Sequence, residues 1–238
     1  MHHFFISPDS IKDGQIILRG GQAHQIRDVL RLRAGEEITA LDNSGAAFRV
    51  VLEKVGEQVS GSVIERIELE SEPHVRIVLC QALLKADKME WVLQKGTEIG
   101  IAEFIPIVTD RSVAHYVSES KEKRWRKILI ESSEQARRAK IPLLGDTMGL
   151  SDAIELAKGS LILVPFEGEH TVKLSRVLEA HPSKVTIFVG PEGGFAGNEI
   201  DQARAAGAQT ITLGPRILRA ETAGLFTASA ILFALDEI

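Results

Sequence analysis

KVTIFVGPEGGF (184–195) and QTITLGPRILRAETA (209–223) share one plan. In each, a short run of β-branched and apolar residues ends in a Gly-Pro pair, at Gly190-Pro191 and at Gly214-Pro215. Such runs read as strands, and the segment near 197–206 between them reads as a helix. Glycine lets backbone groups approach a ligand closely, while proline fixes φ and offers no N–H. A loop that only had to turn would not need Glu192 after one pair, nor Arg216, Arg219, Glu221 and Thr222 after the other. In open α/β sheets, ligands bind beyond the carboxyl ends of the strands. These two turns are therefore candidate site loops, and VPFEGE (164–169), which closes SLILVPF, is a third.

Upstream, the same alternation reaches back to about residue 75. VRIVLCQAL is apolar throughout, as a strand covered on both faces is. Asp87-Lys-Met-Glu90 has the form of a capping box and predicts a helix start. Met89, Val92, Leu93 and Gly96 then share one helix face, and Gly100 supplies a C-terminal stop. EFIPIVT predicts a strand, 119–139 a helix, SLILVPF a strand, 171–180 a helix, and the last helix begins near 221. Strand and helix alternate, which implies an α/β fold with a parallel sheet and helices on its faces. The first seventy residues have another rhythm. FFI, GQIILRG, EEITALD, AAFRVVLEKV and GSVIERIELE predict short strands, with one helical piece at roughly 21–32. That spacing suggests a small barrel. ESEPH (70–74) marks the boundary, which gives domains 1–72 and 73–238.

The 238 residues are 44% hydrophobic and 26% charged, ordinary for a soluble globular protein. The single cysteine, Cys80, rules out an intramolecular disulfide and suits a reducing, cytoplasmic setting. MHHFFISPDS lacks the make-up of a signal peptide, and no run of about 18 apolar residues implies a membrane span. The net charge of −5 argues against nucleic acid, but its distribution does not. Residues 1–70 carry −3, 71–145 carry +3 and 146–238 carry −5. Positive charge gathers in KEKRWRK (121–127), in RRAK (137–140) and at Arg27, Arg31 and Arg33, which together leave room for a phosphate-binding surface. On the helix at 119–139, Glu131, Glu134, Gln135 and Arg138 fall on one polar face. It is either a solvated face with internal ion pairs or a face that reaches a site. The phosphate-loop, G-x-G-x-x-G, G-x-S-x-G and H-E-x-x-H patterns are absent, and the histidines are scattered, so no metal is expected.

GPEGGF together with LGPRILRAETA resembles the ribosomal RNA small subunit methyltransferase E family, SPOUT-class enzymes that use S-adenosylmethionine. HQIRDVLRLRAGEEI (24–38), LLKADKMEWVLQKGTEIGI (83–101), IPIVTDRS (105–112), ESSEQARRAKIP (131–142) and VPFEGE fit the same pattern, in order, over nearly the whole chain. The resemblance implies a PUA-like β-barrel that helps hold RNA, followed by a SPOUT α/β domain whose end forms a deep trefoil knot. It implies a homodimer with no membrane association, acting on 16S ribosomal RNA or the small ribosomal subunit. The reaction would be methylation of a uridine at N3. The cofactor pocket would take Val164, Phe166 and Glu167 from the first loop. Gly190, Pro191, Glu192, Gly193 and Gly194 would come from the second. Leu213, Gly214, Ile217, Leu218, Ala220 and Thr222 would come from the third. Main-chain groups around Gly190, Leu213 and Leu218 would hold the adenine edge. RNA would meet Arg27, Arg31, Arg33, Lys85, Arg111 and Arg137.

S-adenosylmethionine carries its own activated methyl group, so the protein need supply only orientation and electrostatics. Uridine N3 must lose its proton, and negative charge then spreads onto the flanking carbonyl oxygens. Arg219 is the expected stabiliser of that charge. Glu221 or Glu192 could take the proton, although Glu192 reads better as a loop anchor. Arg138 could reach the site or the RNA backbone. The last helix, ETAGLFTASAILFALDEI, is apolar around much of its circumference, which fits a core position plus a dimer face. The chain departs from the family pattern at His3, where Arg is frequent, at Ala196, where Ser would cap the next helix, and at Ala220, where Thr is common. The competing readings are a SPOUT enzyme on another RNA or on a ribose hydroxyl, and an RNA-binding assembly factor without catalysis.

Overall fold

The computed structural model describes every residue from Met1 to Ile238, the side chain of Pro8 apart. The chain forms two compact units: Met1–Glu72 with Ser133–Ile141, and Pro73–Ser132 with Pro142–Ile238.

The first unit is built on β1 (His2–Phe5), β2 (Ile11–Lys12), β3 (Gln15–Leu18), β4 (Glu37–Leu41), β5 (Ala46–Val55) and β6 (Val59–Glu68). They form one sheet in the order β1-β4-β5-β6-β3-β2. β1 pairs parallel with β4, and the other ladders are antiparallel. Among the described residues no ladder joins β1 to β2. Helix α1 (Gly20–His24) continues as a wider π turn through Val29. The chain leaves it at Arg31, whose φ is 55°. Phe4, Ile16, Leu18, Ile26, Ile38 and Leu52 fill the core. Ile16 and Leu18 point inward while Ile17 between them is exposed, the two-residue period of a strand.

Residues 133–141 are held to this unit by side chain–backbone bonds rather than by a periodic pattern. Glu134 accepts the Phe5 N–H at 2.9 Å, Ser71 accepts that of Ala139 at 2.9 Å, and Asn43 accepts that of Ile141 at 2.7 Å.

The second unit contains β7 (Arg76–Ala82), α2 (Lys88–Ile99), β8 (Glu103–Val108), α3 (Glu119–Gln135, its last three residues in the first unit), β9 (Leu143–Leu144), β10 (Met148–Gly149) and α4 (Leu150–Leu156). It continues with β11 (Leu161–Pro165), α5 (Leu174–Val177), β12 (Lys184–Val189), α6 (Gly197–Ala205), β13 (Gln209–Ile211) and α7 (Ala220–Ala234). Every ladder is parallel, in the order β10-β8-β7-β12-β11-β13 with β9 beside β8. Val78, Cys80 and Ala82 pack with Leu150 and Ile154 of α4 and Ile200 and Ala203 of α6. α2 and α7 pack on each other, and α7 also packs on β7, β11 and β12. At Gly224 of α7 a Cβ would lie 2.9 Å from Leu79 Cδ1, so the glycine lets the helix seat directly on the sheet. Burial on both faces explains why these strands read as continuous apolar runs. Among the described residues no helix is long and apolar enough to cross a membrane.

Three local expectations are corrected. α3 ends at Gln135 rather than 139. Arg137 sits at φ 55°, its N–H bonds to Glu134 O and that of Arg138 bonds to Ser133 O, the double closure that ends a helix. The capping box at 87–90 does not form. Asp87 has φ −87° and ψ 4° and makes no side-chain cap bond, while Glu90 pairs with Arg124 of α3 at 2.7 Å. The helix expected at 171–180 is reduced to Leu174–Val177.

α2 also shows how tightly the layers fit. A Cβ on Gly96 would lie 2.7 Å from the Phe104 ring and 2.9 Å from Ile101 Cδ1. Gly96→Ala is expected to destabilise by about 1–3 kcal/mol through overpacking. Thermal unfolding checks this: a variant that melts no lower than the parent would show that the layer yields.

Candidate active site

Because the second sheet is wholly parallel, the carboxyl ends of β7, β8, β11, β12 and β13 lie along one edge, where α/β proteins place ligands. Hydrogen bonds and ion pairs tie the five loops there together.

The loop after β12 is the tightest. A Cβ on Gly190 would lie 3.1 Å from Gly194 C and Phe195 N, so the two arms of the turn touch. Gly194 has φ 68° and donates to Pro191 O at 2.9 Å. Arg111 Nη1, from the loop after β8, donates to Gly193 O at 2.7 Å. Buried Glu199 accepts the Ala196 N–H at 2.8 Å and the Asp110 N–H at 2.9 Å. Ala196 has no side-chain acceptor, so α6 has half a capping box, and that half also fixes the β8 loop.

The loop after β11 leans on its neighbours. Phe166 donates its N–H to Ile211 O at 3.1 Å, and the Arg204 guanidinium lies 6.0 Å from its ring centroid. Glu167 Oε1 lies 3.6 Å from where a Cβ on Gly194 would be, so this loop borders the one after β12. Glu169 accepts the Thr171 hydroxyl and N–H at 2.7 and 2.8 Å, the Val172 N–H at 3.1 Å and the Thr210 hydroxyl at 3.0 Å. The Thr171 bonds first, then that of Val172, outweigh burial and hold its carboxyl at about 2 against an ordinary 4.5. A carboxylate held low in the fold stabilises above its unfolded value and loses that contribution as pH falls towards its folded value. Glu169→Gln is therefore expected to lower the melting temperature at pH 7, with the deficit closing between about pH 4.5 and 2. An equal deficit at both ends of that range would show that the charge is not what matters.

The loop after β13 is open. Gly214 has φ 100° and nothing within 4 Å of where a Cβ would be, and Ile217 is 84% exposed. Arg219 caps α7 with its backbone: its carbonyl accepts the N–H groups of Thr222 and Ala223 at 2.9 Å. Its side chain is 83% exposed and lies 4.0 Å from Glu221 Oε1. Glu221 Oε2 faces Lys88 Nζ at 3.3 Å, and the same ammonium lies 3.2 Å from Glu192 Oε1. Glu192 also accepts the Lys85 N–H at 3.4 Å. The bond from Glu192 leads in raising the Lys88 pKa, with Glu221 adding to it against burial. For Glu192 burial pushes upward, and bonds from its own backbone, Lys88 and Lys85 outweigh it, so its carboxyl is held low. Glu192 is an anchored anion and a poor proton acceptor.

A family model described as an RNA methyltransferase domain matches residues 70–232. The ribosomal RNA small subunit methyltransferase E of Bacillus subtilis strain 168 is 32% identical over 231 residues, spanning 92% of this chain and 90% of its own. This chain belongs to the ribosomal RNA small subunit methyltransferase E family. The enzyme of that name from Mesomycoplasma hyopneumoniae strain 232 is 39% identical over 168 residues, 69% of this chain and 72% of its own. The solved structure of a ribosomal RNA small subunit methyltransferase E from Neisseria gonorrhoeae bound to S-adenosyl methionine matches with TM-score 0.89 at 29% identity, over 98% of this chain and 97% of that one.

In this member of the family, Glu167, Gly190–Gly194, Leu213, Gly214, Ile217, Leu218, Ala220 and Thr222 lie on loops or the first turn of α7 at the carboxyl edge, with Lys85 and Arg111 beside them. Val164 is different: its side chain is packed between the sheet, α4 and α6, so only its main chain is available. Arg31, Arg33 and Arg137 are exposed on the first unit. Arg27 is engaged by Asp28 at 2.5 and 2.8 Å and by Gly56 O at 3.1 Å. Arg138 is not on the polar face of α3. It lies past the helix end, 3% exposed, with Nη2 at 2.6 Å and Nε at 3.3 Å from the Glu72 carboxylate. Lys88 was not among the expected site residues. Its one signal is a cation at the first position of a helix, where the end of the helix is already positive.

Proposed function

We propose that this protein transfers the methyl group of S-adenosylmethionine to N3 of a uridine in 16S ribosomal RNA. The observation that carries the reading is the junction of three glycine-bearing strand ends with Arg219, whose backbone is fixed and whose guanidinium is open. The loops suit the cofactor: Gly190 lets the two arms of its turn touch, Gly194 takes the left-handed φ of 68° that closes it, and Gly214 leaves main chain bare in open space. Gly190, Leu213 and Leu218 would hold the adenine edge through their main chain. S-adenosylmethionine supplies the activated methyl group when bound. N3 would give up its proton to water at this exposed edge, the new N3–CH3 bond would replace the S–CH3 bond and leave S-adenosylhomocysteine, and Arg219 would stabilise the negative charge that grows on the uracil oxygens. Glu192 anchors its loop, and Glu221 orients the guanidinium. Phe166, steadied by Arg204, walls the pocket.

The reading includes a SPOUT domain with a deep trefoil knot, which follows a PUA-like barrel along the chain, the barrel holding RNA. Its support is that β12 lies between β7 and β11, while α7, after edge strand β13, returns to pack on all three. It also includes a cytoplasmic homodimer working on the small ribosomal subunit. Phe226 and Phe233, 48% and 74% exposed along one stripe of α7, suit a subunit interface. The test is calorimetric titration with S-adenosylmethionine, and with NAD in parallel, followed by labelled-methyl transfer to small subunits and mass mapping of the modified base. Saturable binding of the first ligand alone and an N3-methyluridine product are expected. No transfer with small subunits present would end the reading, and a methylated ribose would move it to another chemistry.

A further inference from the structure

Three features at the start of α2 work against an ordinary helix start. Ala86 is held at φ 50°, in the left-handed region that side chains disfavour. Asp87 offers a carboxylate at the cap position and makes no cap bond. Lys88 puts a positive charge in the first turn, where the helix dipole opposes it. Local rules broken together tend to mark a place where function sets the geometry.

The Lys88 ammonium is where the compensation lies. It faces Glu192 Oε1 at 3.2 Å and Glu221 Oε2 at 3.3 Å. These carboxylates belong to different crossovers, one to the turn after β12 and the other to the first turn of α7. Glu221 presents its second oxygen to Arg219 at 4.0 Å, with its own side chain 14% exposed. Arg219, by contrast, reaches into solvent from a fixed backbone and has Glu221 as its ion-pair partner among the described residues. A guanidinium so placed needs an oriented carboxylate, and the carboxylate needs a fixed cation.

We infer that Lys88 is a positioning residue for methyl transfer: it holds Glu221 so that Glu221 aims Arg219, and through Glu192 it ties that arrangement to the glycine turn. It does not touch the reacting atoms. The inference rests on the methyl-transfer reading and names a residue which that reading does not need.

The test uses the full-length protein and four variants: Lys88→Met, Lys88→Arg, Glu221→Gln and the double Lys88→Met/Glu221→Gln. Single-turnover methyl transfer to small subunits is measured alongside the dissociation constant for S-adenosylmethionine and the melting temperature. Lys88→Met is expected to slow transfer roughly 10- to 100-fold, the scale of a misplaced catalytic group, with cofactor affinity nearly unchanged. Lys88→Arg should recover most of the rate, since a guanidinium can also face two carboxylates. The double variant should be about as slow as the slower single one, because both changes cut the same link. Transfer at the parental rate in Lys88→Met overturns the inference, and so do single effects that multiply in the double. A Lys88→Met chain that fails to fold also overturns it, by making the role structural. If the parent itself transfers nothing, the methyl-transfer reading falls and takes this one with it. A fully active parent beside an unaffected Lys88→Met removes this inference alone.

Discussion

Arg219→Ala is expected to lower methyl transfer by about 10²–10³-fold, the usual loss when a preorganised stabiliser of developing negative charge is removed. S-adenosylmethionine affinity and melting temperature should stay near the parent's. The asymmetry follows from how the residue is built in. Arg219 caps α7 through its carbonyl and makes no side-chain cap bond, so Ala keeps the backbone role and loses only the exposed guanidinium. The loops proposed to hold the cofactor rely on main chain and glycine, which the substitution leaves alone. Arg219→Lys should recover part of the rate, since it restores charge but not the planar fork. Transfer unchanged in Arg219→Ala would mean that charge on the uracil is met elsewhere. A large loss of cofactor affinity would make Arg219 a binding residue.

Arg138→Ala should behave in the opposite way. The side chain is 4% exposed and its two-point pair with Glu72 is internal to the first unit. Removing it leaves a carboxylate that still accepts the Ala139 and Lys140 N–H groups at 3.1 and 3.2 Å but has lost its counter-charge. Breaking a buried pair from one side destabilises by about 3–5 kcal/mol, and the partial exposure of Glu72 brings the expectation to the lower end, about 3 kcal/mol. Urea unfolding followed by circular dichroism measures it. Transfer by the folded fraction should persist. An equally stable but inactive variant would return Arg138 to the site, where the polar stripe of the sequence suggested it.

That stripe shows where reading a sequence succeeds and where it stops. The β-strands of the second unit were legible because both faces are buried, so Ile77, Val78, Leu79 and Cys80 form an unbroken apolar run. The loops proposed to form the site stand out because glycine, proline and charge crowd into a few consecutive residues. The end of α3 was not, because Arg137 takes a left-handed turn that glycine usually announces. With the helix four residues shorter, Arg138 leaves the face on which its spacing put it. The capping box failed for a non-local reason: Glu90 was taken by Arg124, 34 residues along the chain. Lys88 escaped notice for the same reason, since its partner Glu192 is 104 residues away. Spacing rules see neighbours along the chain, while ion pairs are settled by neighbours in space. α4 is seven residues long and starts at a glycine with no side-chain cap, so it too gave little to read.

The place of β12 between β7 and β11 bears on how the protein is made. β7 leaves the ribosome about a hundred residues before its central partner, an interval of roughly 5–20 s at ordinary rates of synthesis. Throughout it, Ile77, Val78 and Leu79 stand on a strand with one edge waiting. An unpaired apolar edge is a template for the wrong partner, including another nascent chain on the same message. Chains interrupted before residue 184 should therefore be strong clients of chaperones.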